Sequence, residues 1–264
     1  MSTTTMTVEH QAKVEYAPHR KFVGPPEKYD LASAGQFSLL TALGLREEHT
    51  LLDIGCGSLR GGRLFIPYLK PGKYFGIEPE QWLIDQGIET EAGRDLVNLK
   101  KPSFVNDTNF TLTSFGRKFD FMLAQSIFSH ASQAQIRRCL SEAKKSLEPD
   151  GIFAATFFPG EENYEGTEWV YPGCVYYTLE YFSKLVADEG LACKPLNWTH
   201  TNQQKWVAIT HAEHASAVPE LADVARIGVL EQQVEALNKK LNSLQKLAGL
   251  KLIKKINRLF RGKA

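Results

Sequence analysis

Short, almost wholly apolar runs recur through the middle of the chain and predict the strands of a parallel sheet. Such runs are typical of strands that helices cover on both faces. Five of them lie at Thr50–Ile54, Tyr74–Ile77, Ser103–Val105, Phe119–Ala124 and Ile152–Phe158. A final pair of strands is expected near Ala192–Leu196 and Lys205–Thr210.

Segments with apolar residues at helical spacing lie between these runs. The predicted helices cover about Tyr29–Leu43, Gly61–Leu69, Glu80–Gly87, Ser132–Leu147 and Leu179–Glu189. Alternation of strands and helices implies right-handed crossovers. The sequence therefore predicts a doubly wound α/β domain over residues 28–210.

The two flanks of this domain lack the alternation. Residues 1–27 are interpreted as a polar leader followed by a loop, because the pair Pro25-Pro26 disfavours helix over His19–Pro26. Residues 211–226 are Ala-rich and short of large apolar groups, which indicates a linker.

The C-terminal segment, residues 227–264, has two patterns in succession. Apolar residues first recur at steps of three and four, at Ile227, Leu230, Val234, Leu237, Leu241 and Leu244. This spacing predicts either a short coiled coil at 227–244 that makes the chain a homo-oligomer, or a helix that covers the body. Residues 246–264 then carry seven Lys/Arg and no acid, with apolar residues on the opposite face. Such a helix fits an anionic membrane surface, a partner or RNA phosphates.

Composition narrows the classes of function. A formal net charge of +1 gives no strong nucleic-acid signal. The four cysteines lack C-x-x-C spacing, so we expect neither a metal site nor a disulfide framework. No signal peptide and no run of about 20 apolar residues is present, and a cytoplasmic location is expected, peripheral at most on the inner membrane face.

Polar residues follow four consecutive predicted strands. They are Asp53 with the turn Gly55-Cys56-Gly57, then Glu78, Asp107 and Gln125. In an open α/β sheet these strand ends form one ligand crevice, where an acid such as Glu78 accepts the hydroxyls of a ribose. A dinucleotide is the runner-up ligand, but Leu59-Arg60 stands where its third glycine is expected, and Asp53 would face a pyrophosphate. The acid suits the cationic end of S-adenosylmethionine better.

Four motifs in register resemble the class I S-adenosylmethionine-dependent methyltransferases. They are Leu51–Gly57, Tyr74–Glu78, Phe119–His130 and Leu147–Phe153, within a likeness that spans about residues 28–210. The resemblance implies a Rossmann-like methyltransferase sheet of seven strands, the last one antiparallel. It also implies that Gly55 and Gly57 pack under the methionine part of the cofactor, that Glu78 holds the ribose and that Asp107 meets the adenine. Leu59 replaces the usual third glycine, and Asp150 replaces a glycine of the later turn.

Other candidates complete the cofactor side and define an acceptor side. Arg60 follows the glycine turn and is placed to meet the cofactor carboxylate, while Tyr29 and Gln36 lie on the preceding helix. His130 is the candidate general base, with a structural or helix-capping role as the alternative. The aromatic-rich segment after the fifth strand predicts a lid with Trp169, Tyr171 and Tyr176 as stacking surfaces for an acceptor.

The resulting hypothesis is methyl transfer to a hydroxyl of a sugar, a cell-envelope glycan or another small molecule. The C-terminal pattern resembles the ends of many bacterial enzymes that act on envelope glycans. One alternative is a methyltransferase for protein or nucleic acid, although Ala124-Gln125-Ser126-Ile127 lacks the N/D-P-P-Y/F signature of many amino-directed enzymes. Another is a non-catalytic assembly module that uses the coiled coil.

Overall fold

The computed structural model describes residues 15–221, 237–241 and 243. Eight strands are present in the described part of the chain: β1 (Leu51–Ile54), β2 (Tyr74–Ile77), β3 (Ser103–Val105), β4 (Phe119–Ala124), β5 (Leu147–Pro159), β6 (Tyr176–Tyr177), β7 (Leu191–Pro195) and β8 (Lys205–His211). The α-helices there are α1 (Pro18–Phe22), α2 (Tyr29–Ala42), α3 (Gly62–Tyr68), α4 (Gln81–Gln86), α5 (Arg94–Lys100), α6 (Gln133–Ser146) and α7 (Leu179–Asp188).

Seven strands form one continuous sheet in the order β3-β2-β1-β4-β5-β8-β7. The first five are parallel to one another, whereas β8 runs antiparallel to both β5 and β7. The predicted seven-stranded sheet with its last strand reversed is therefore confirmed. The short strand β6 pairs with the end of β5 outside this path, and it was not predicted.

Side chains that alternate along the strands build two cores, one on each face of the sheet. Leu52 and Met122 point to the face that α6 and α7 cover, where Leu140 and Phe182 are fully buried. On the opposite face, Leu51 of β1 and its neighbours pack against α2, α3 and α4. Burial on both faces accounts for the nearly continuous apolar runs in the sequence.

The N-terminal flank differs from the prediction. The predicted loop is wrong for residues 18–22, which form α1 with Pro18 in its first turn. A proline is tolerated there because the first amide groups of a helix lack partners within it. The pair Pro25-Pro26 follows the helix and does not interrupt it. His19 of α1 is buried against Glu91, so this flank is packed on the domain.

Three further segments depart from the predicted pattern. A π-helical turn, Gly87–Ala92, joins α4 to the unpredicted helix α5. The predicted linker begins later than expected, because Ala212–Ala217 form a 3-10 helix and Val218 is buried. Within the predicted helix 29–43, Leu31 is exposed, whereas Leu39 and Leu40 are buried.

Most of the predicted coiled coil and all of the basic segment at 246–264 lie outside the described residues. Residues 237–241 are helical, and their Leu237 and Leu241 are 65% and 52% exposed. Across the described ranges, no helix is both long enough and apolar enough to cross a membrane.

Candidate active site

A cavity lies at the carboxyl edge of the sheet, where the candidate cofactor residues come together. Its lining includes Asp53, Gly55, Gly57, Arg60 and Gln125, all of which the sequence analysis selected. It also includes Val23, Gln36, Cys56 and Gly61. The cavity therefore joins the ends of β1 and β4 to α2 and to the turn after α1.

The turn after β1 follows the edge of the sheet closely. The backbone amides of Gly55 and Cys56 both donate to the carbonyl of Ile77 on β2, at 2.7 and 3.0 Å. A side chain on Gly55 would collide with Ile127, whose Cδ1 would lie 2.1 Å from its Cβ. Leu59 adopts φ of +58°, a conformation that favours glycine. Leu59, which stands where the motif has its third glycine, therefore keeps the left-handed conformation that a glycine would favour there.

Two buried carboxylates flank this turn. Glu78 at the end of β2 accepts hydrogen bonds from the amides of Gly57 (2.9 Å) and Glu80 (3.0 Å). Burial raises its pKa, and the two amides oppose that shift. Asp53 accepts a 2.7 Å hydrogen bond from the hydroxyl of Tyr74, and burial raises the pKa of Asp53 to about 6.

Arg60 supplies the positive charge of the cavity. Its Nη1 donates to the carbonyl of Val23 at 2.7 Å, while its Nε is buried without a hydrogen-bond partner. Burial lowers the pKa of Arg60, and the nearby Asp53 carboxylate counteracts the shift. The guanidinium therefore remains charged and has a donor left for an anionic ligand.

The orientation of the Gln125 amide follows from its neighbour His200. The backbone amides of Asn202 and Gln204 donate to His200 Nδ1 at 3.1 and 3.3 Å, and burial lowers the pKa of His200 to about 3. The ring is therefore neutral and carries its proton on Nε2, which lies 2.9 Å from the Gln125 amide. Because Nε2–H is a donor, it requires the amide oxygen, and the NH2 group of Gln125 is turned toward the cavity.

Asp107 lies at the same edge of the sheet, after β3, but it does not line this cavity. Its carboxylate accepts hydrogen bonds from the amides of Asn109 and Thr111 and from the Thr111 hydroxyl, at 2.8–3.1 Å. These bonds shape the loop after β3. Tyr29, also selected from the sequence, donates its hydroxyl to the carbonyl of Ser58.

His130 follows β4 and is fixed by the lid segment. Its Nδ1 lies 2.9 Å from the carbonyl oxygen of Val170 and 2.7 Å from that of Gly173. Carbonyl oxygens only accept hydrogen bonds, so Nδ1 carries a proton and Nε2 is the basic nitrogen of the neutral ring. The helix-capping alternative is wrong, because Ser132 and Gln135 cap α6.

Two of the three predicted stacking residues adjoin His130. The rings of Trp169 and Tyr171 lie 5.6 and 5.2 Å from the imidazole. Tyr176 is at a different place, where its ring contacts Phe158 at the end of β5. The structure thus brings Trp169 and Tyr171 to the candidate base and leaves Tyr176 apart.

Comparisons with known proteins agree with this geometry. Residues 52–153 match the family model described as a methyltransferase domain. The fold resembles magnesium protoporphyrin IX methyltransferase from Synechocystis PCC 6803, with TM-score 0.55, 12% identity, and coverage of 75% of this chain and 86% of that chain. It also resembles the glycopeptide N-methyltransferase MtfA, with TM-score 0.52, 12% identity, and coverage of 69% of this chain and 90% of that chain. A methyltransferase from Clostridium acetobutylicum is similar too, with TM-score 0.51, 11% identity, and coverage of 69% of this chain and 92% of that chain. None of the curated proteins compared matches the sequence.

The fold is that of the class I S-adenosylmethionine-dependent methyltransferases. The cavity fits the polar end of S-adenosylmethionine. Nε of Arg60, Oε1 of Gln36 and one amide atom of Gln125 are buried there without hydrogen-bond partners. Together with Asp53 they offer donors for a carboxylate and acceptors for an ammonium group. Groups of this kind are expected around the methionine part of S-adenosylmethionine.

One part of the site comes from the N-terminal flank and was not predicted from the sequence. Val23 lies over Gly57, since its Cγ1 would be 2.9 Å from a Cβ placed there. The flank is held by Glu91, whose carboxylate lies 2.7 Å from Arg20 Nε and 2.8 Å from His19 Nε2. No pattern in the sequence indicates these contacts, because Glu91 lies about 70 residues from α1 along the chain.

Proposed function

We propose that this methyltransferase domain transfers a methyl group to a hydroxyl of a sugar, of a cell-envelope glycan or of another small molecule. The observation that carries the proposal is the setting of His130. Two backbone carbonyls bind Nδ1–H and leave Nε2 as the basic atom, beside two aromatic rings. A base fixed in this way suits a hydroxyl acceptor, whose proton has to be removed during the transfer.

S-adenosylmethionine supplies a methyl group that is activated by the sulfonium to which it is bonded. His130 Nε2 would accept the proton of the acceptor hydroxyl as the acceptor oxygen takes the methyl group, and the cofactor would supply that group with its sulfur as the leaving group. Trp169 and Tyr171 orient the acceptor ring, and the protein contributes alignment and exclusion of water.

The cofactor residues have separate roles in this proposal. Arg60 and the NH2 group of Gln125 bind the cofactor carboxylate, and Asp53 binds its ammonium group. Glu78 accepts the ribose hydroxyls, and Asp107 accepts from the adenine amino group. Val23 and Ile127 cover Gly57 and Gly55, so both side chains shift when the methionine part packs against the glycines.

The test is a transfer assay with radiolabelled S-adenosylmethionine and size-fractionated envelope glycans, with S-adenosylhomocysteine binding measured by calorimetry. Label in the glycan fraction that resists mild base supports an ether product. Label only in protein or nucleic acid supports the alternative acceptor classes. Calorimetry without binding favours the non-catalytic assembly module and contradicts the proposal.

The C-terminal segment suggests where in the cell the proposed enzyme acts. We propose that residues 246–264 hold the enzyme on an anionic membrane surface at the cytoplasmic side, where a lipid-linked glycan is accessible. Flotation of the full chain with vesicles containing phosphatidylglycerol tests this. A chain that ends at residue 245 should remain at the bottom of the gradient, and equal behaviour of the two chains contradicts the membrane role.

A further inference from the structure

A row of aromatic side chains extends from His130. Neighbouring rings are in contact: Trp169 with His130 (5.6 Å), His130 with Tyr171 (5.2 Å), Tyr171 with Phe22 (5.3 Å) and Phe22 with Trp82 (5.3 Å). These five residues are called the aromatic row. It joins four separate parts of the chain, namely α1, α4, the segment between β4 and α6, and the lid segment.

The rings of this row are available to a ligand. Phe22, Trp82, Trp169 and Tyr171 are between 37% and 43% exposed, whereas Trp198 and Trp206 are buried. More than a third of the surface of each of these four residues is therefore accessible. Contiguous apolar groups on a surface are typical of binding sites, while scattered ones are not.

The row is also held in place before any ligand arrives. The hydroxyl of Tyr171 donates to the carbonyl of Phe22, which joins the lid to α1. The helix α1 is fixed in turn, because Arg20 and His19 bind the buried carboxylate of Glu91. A site with preformed geometry loses less conformational entropy on binding.

We propose that Phe22 and Trp82 form a second acceptor subsite, which binds a sugar ring next to the ring that is methylated. The inference rests on the proposed function, since it takes the acceptor to be a glycan. Phe22 and Trp82 are joined to His130 through Tyr171. A ring stacked on Phe22 and Trp82 is therefore a different ring from the one whose hydroxyl meets His130 Nε2.

The polar surroundings of Trp82 favour a sugar over a purely apolar ligand. Asp85 lies one turn along α4 from Trp82, and its carboxylate accepts a 2.8 Å hydrogen bond from Gln81. Both polar side chains are exposed. A sugar ring presents C–H bonds on its face and hydroxyls at its edge, so an aromatic face bordered by a carboxylate and an amide matches it.

The experiment measures binding of an array of linear oligosaccharides, from one ring upward, to the full chain saturated with S-adenosylhomocysteine. Trp82→Leu and Phe22→Leu remove the rings and keep an apolar side chain. Leu99→Ala is the control, because Leu99 is an exposed apolar residue of α5 outside the row. Calorimetry with S-adenosylhomocysteine is repeated for each variant to show that the cofactor side is intact.

We expect Trp82→Leu to weaken binding of oligosaccharides of two or more rings about tenfold, and to leave single sugars and S-adenosylhomocysteine unaffected. Equal oligosaccharide affinity of Trp82→Leu and the wild type overturns the second subsite. So does a wild-type complex that binds no glycan of the array. Failure of the wild type to bind S-adenosylhomocysteine is a separate result, which contradicts the proposed methyltransferase function itself.

Discussion

The carbonyl oxygen of Val23 accepts a hydrogen bond from Nη1 of Arg60 at 2.7 Å. The preceding carbonyl, that of Phe22, accepts from the hydroxyl of Tyr171 in the lid. Two successive peptide groups at the end of α1 thus bind Arg60 of the cavity and Tyr171, which adjoins His130. The position of α1 is therefore expected to influence both.

Substitution of Glu91 tests this role of α1. Glu91→Gln removes the charge that Arg20 and His19 bind, and Arg20, a quarter exposed, keeps only Asp30 at 3.6 Å. Because this pair is partly exposed, its loss should cost about 1–3 kcal/mol of unfolding free energy, between the values for exposed and buried pairs. We expect a loss of this order in urea unfolding, together with a higher Kd for S-adenosylhomocysteine.

Glu89→Gln is the matched control for Glu91→Gln. Glu89 lies in the same π-helical turn and pairs with Arg94, but both side chains of that pair are exposed. Exposed pairs contribute about 0–1 kcal/mol. Equal effects of the two substitutions on cofactor affinity would show that α1 is not held by Glu91.

The residues at the strand ends could be predicted from the sequence, whereas the contacts of α1 with the site could not. Gly55, Gly57 and Glu78 were predictable because the two glycines lie in the turn after β1, Glu78 follows β2, and parallel strands end at one edge. The contact of His19 with Glu91 joins residues 72 positions apart, and no periodicity of the chain encodes it. The lid was predicted as a segment, but which of its rings adjoin His130 depends on how the chain turns between Trp169 and Tyr176.

At Leu59 the sequence departs from the glycine of the motif, but the backbone still adopts the positive φ that favours glycine. Its φ of +58° costs a non-glycine residue about 1–2 kcal/mol. Its side chain is fully buried and lies close to Gly62 and Gly87. Burial of an apolar side chain of this size contributes about 2–5 kcal/mol, which exceeds the backbone cost.

We predict that Leu59→Gly and Leu59→Ala both destabilise the protein, but that the alanine variant is the less stable by about 1 kcal/mol. Both lose the buried side chain, and only glycine also relieves the strained φ. Thermal unfolding of the two variants measures the difference. In an ordinary helix the order is reversed, so an alanine variant that is the more stable would contradict the left-handed backbone at this position.

A third prediction concerns His200 and pH. Burial lowers the pKa of His200 to about 3 in the folded chain, below its ordinary value of 6.5. Between these values the unfolded chain binds a proton that the folded chain does not, so stability falls as the pH decreases from about 6.5 toward about 3. His200→Asn lacks this contribution. We expect the stability difference between wild type and His200→Asn to shrink as the pH decreases through that window.

The tautomer of His200 is measurable by nitrogen-15 NMR of the imidazole ring. We expect a neutral ring with its proton on Nε2 across the range from pH 5 to 8, because two backbone amides donate to Nδ1. A proton on Nδ1 would reverse the Gln125 amide and would place its oxygen, not its NH2 group, toward the cavity. That result would contradict the donor role proposed for Gln125.

His130 is tested by its effect on turnover relative to cofactor binding. His130→Gln removes the basic Nε2, and we expect kcat to fall about 10²–10⁴-fold, the usual range for loss of a general base. The Kd of S-adenosylhomocysteine should change little, because His130 does not line the cofactor cavity. His214→Gln, in the 3-10 helix after β8, is the control. A parallel loss of cofactor affinity would indicate a structural role for His130.

The last prediction concerns the exposed helix near the C-terminus. Leu237 and Leu241 are four residues apart, so they share one face of the helix, and both are more than half exposed. They belong to the heptad-like series at 227–244, and a second copy of the chain is the partner that such a series fits best.

We expect a dimer or larger homo-oligomer in light scattering of the full chain. Leu237→Ser with Leu241→Ser should convert it to a monomer without loss of S-adenosylhomocysteine binding, whereas Lys239→Ser, on the same helix between them, should not. A wild-type monomer at micromolar concentration would contradict the coiled coil.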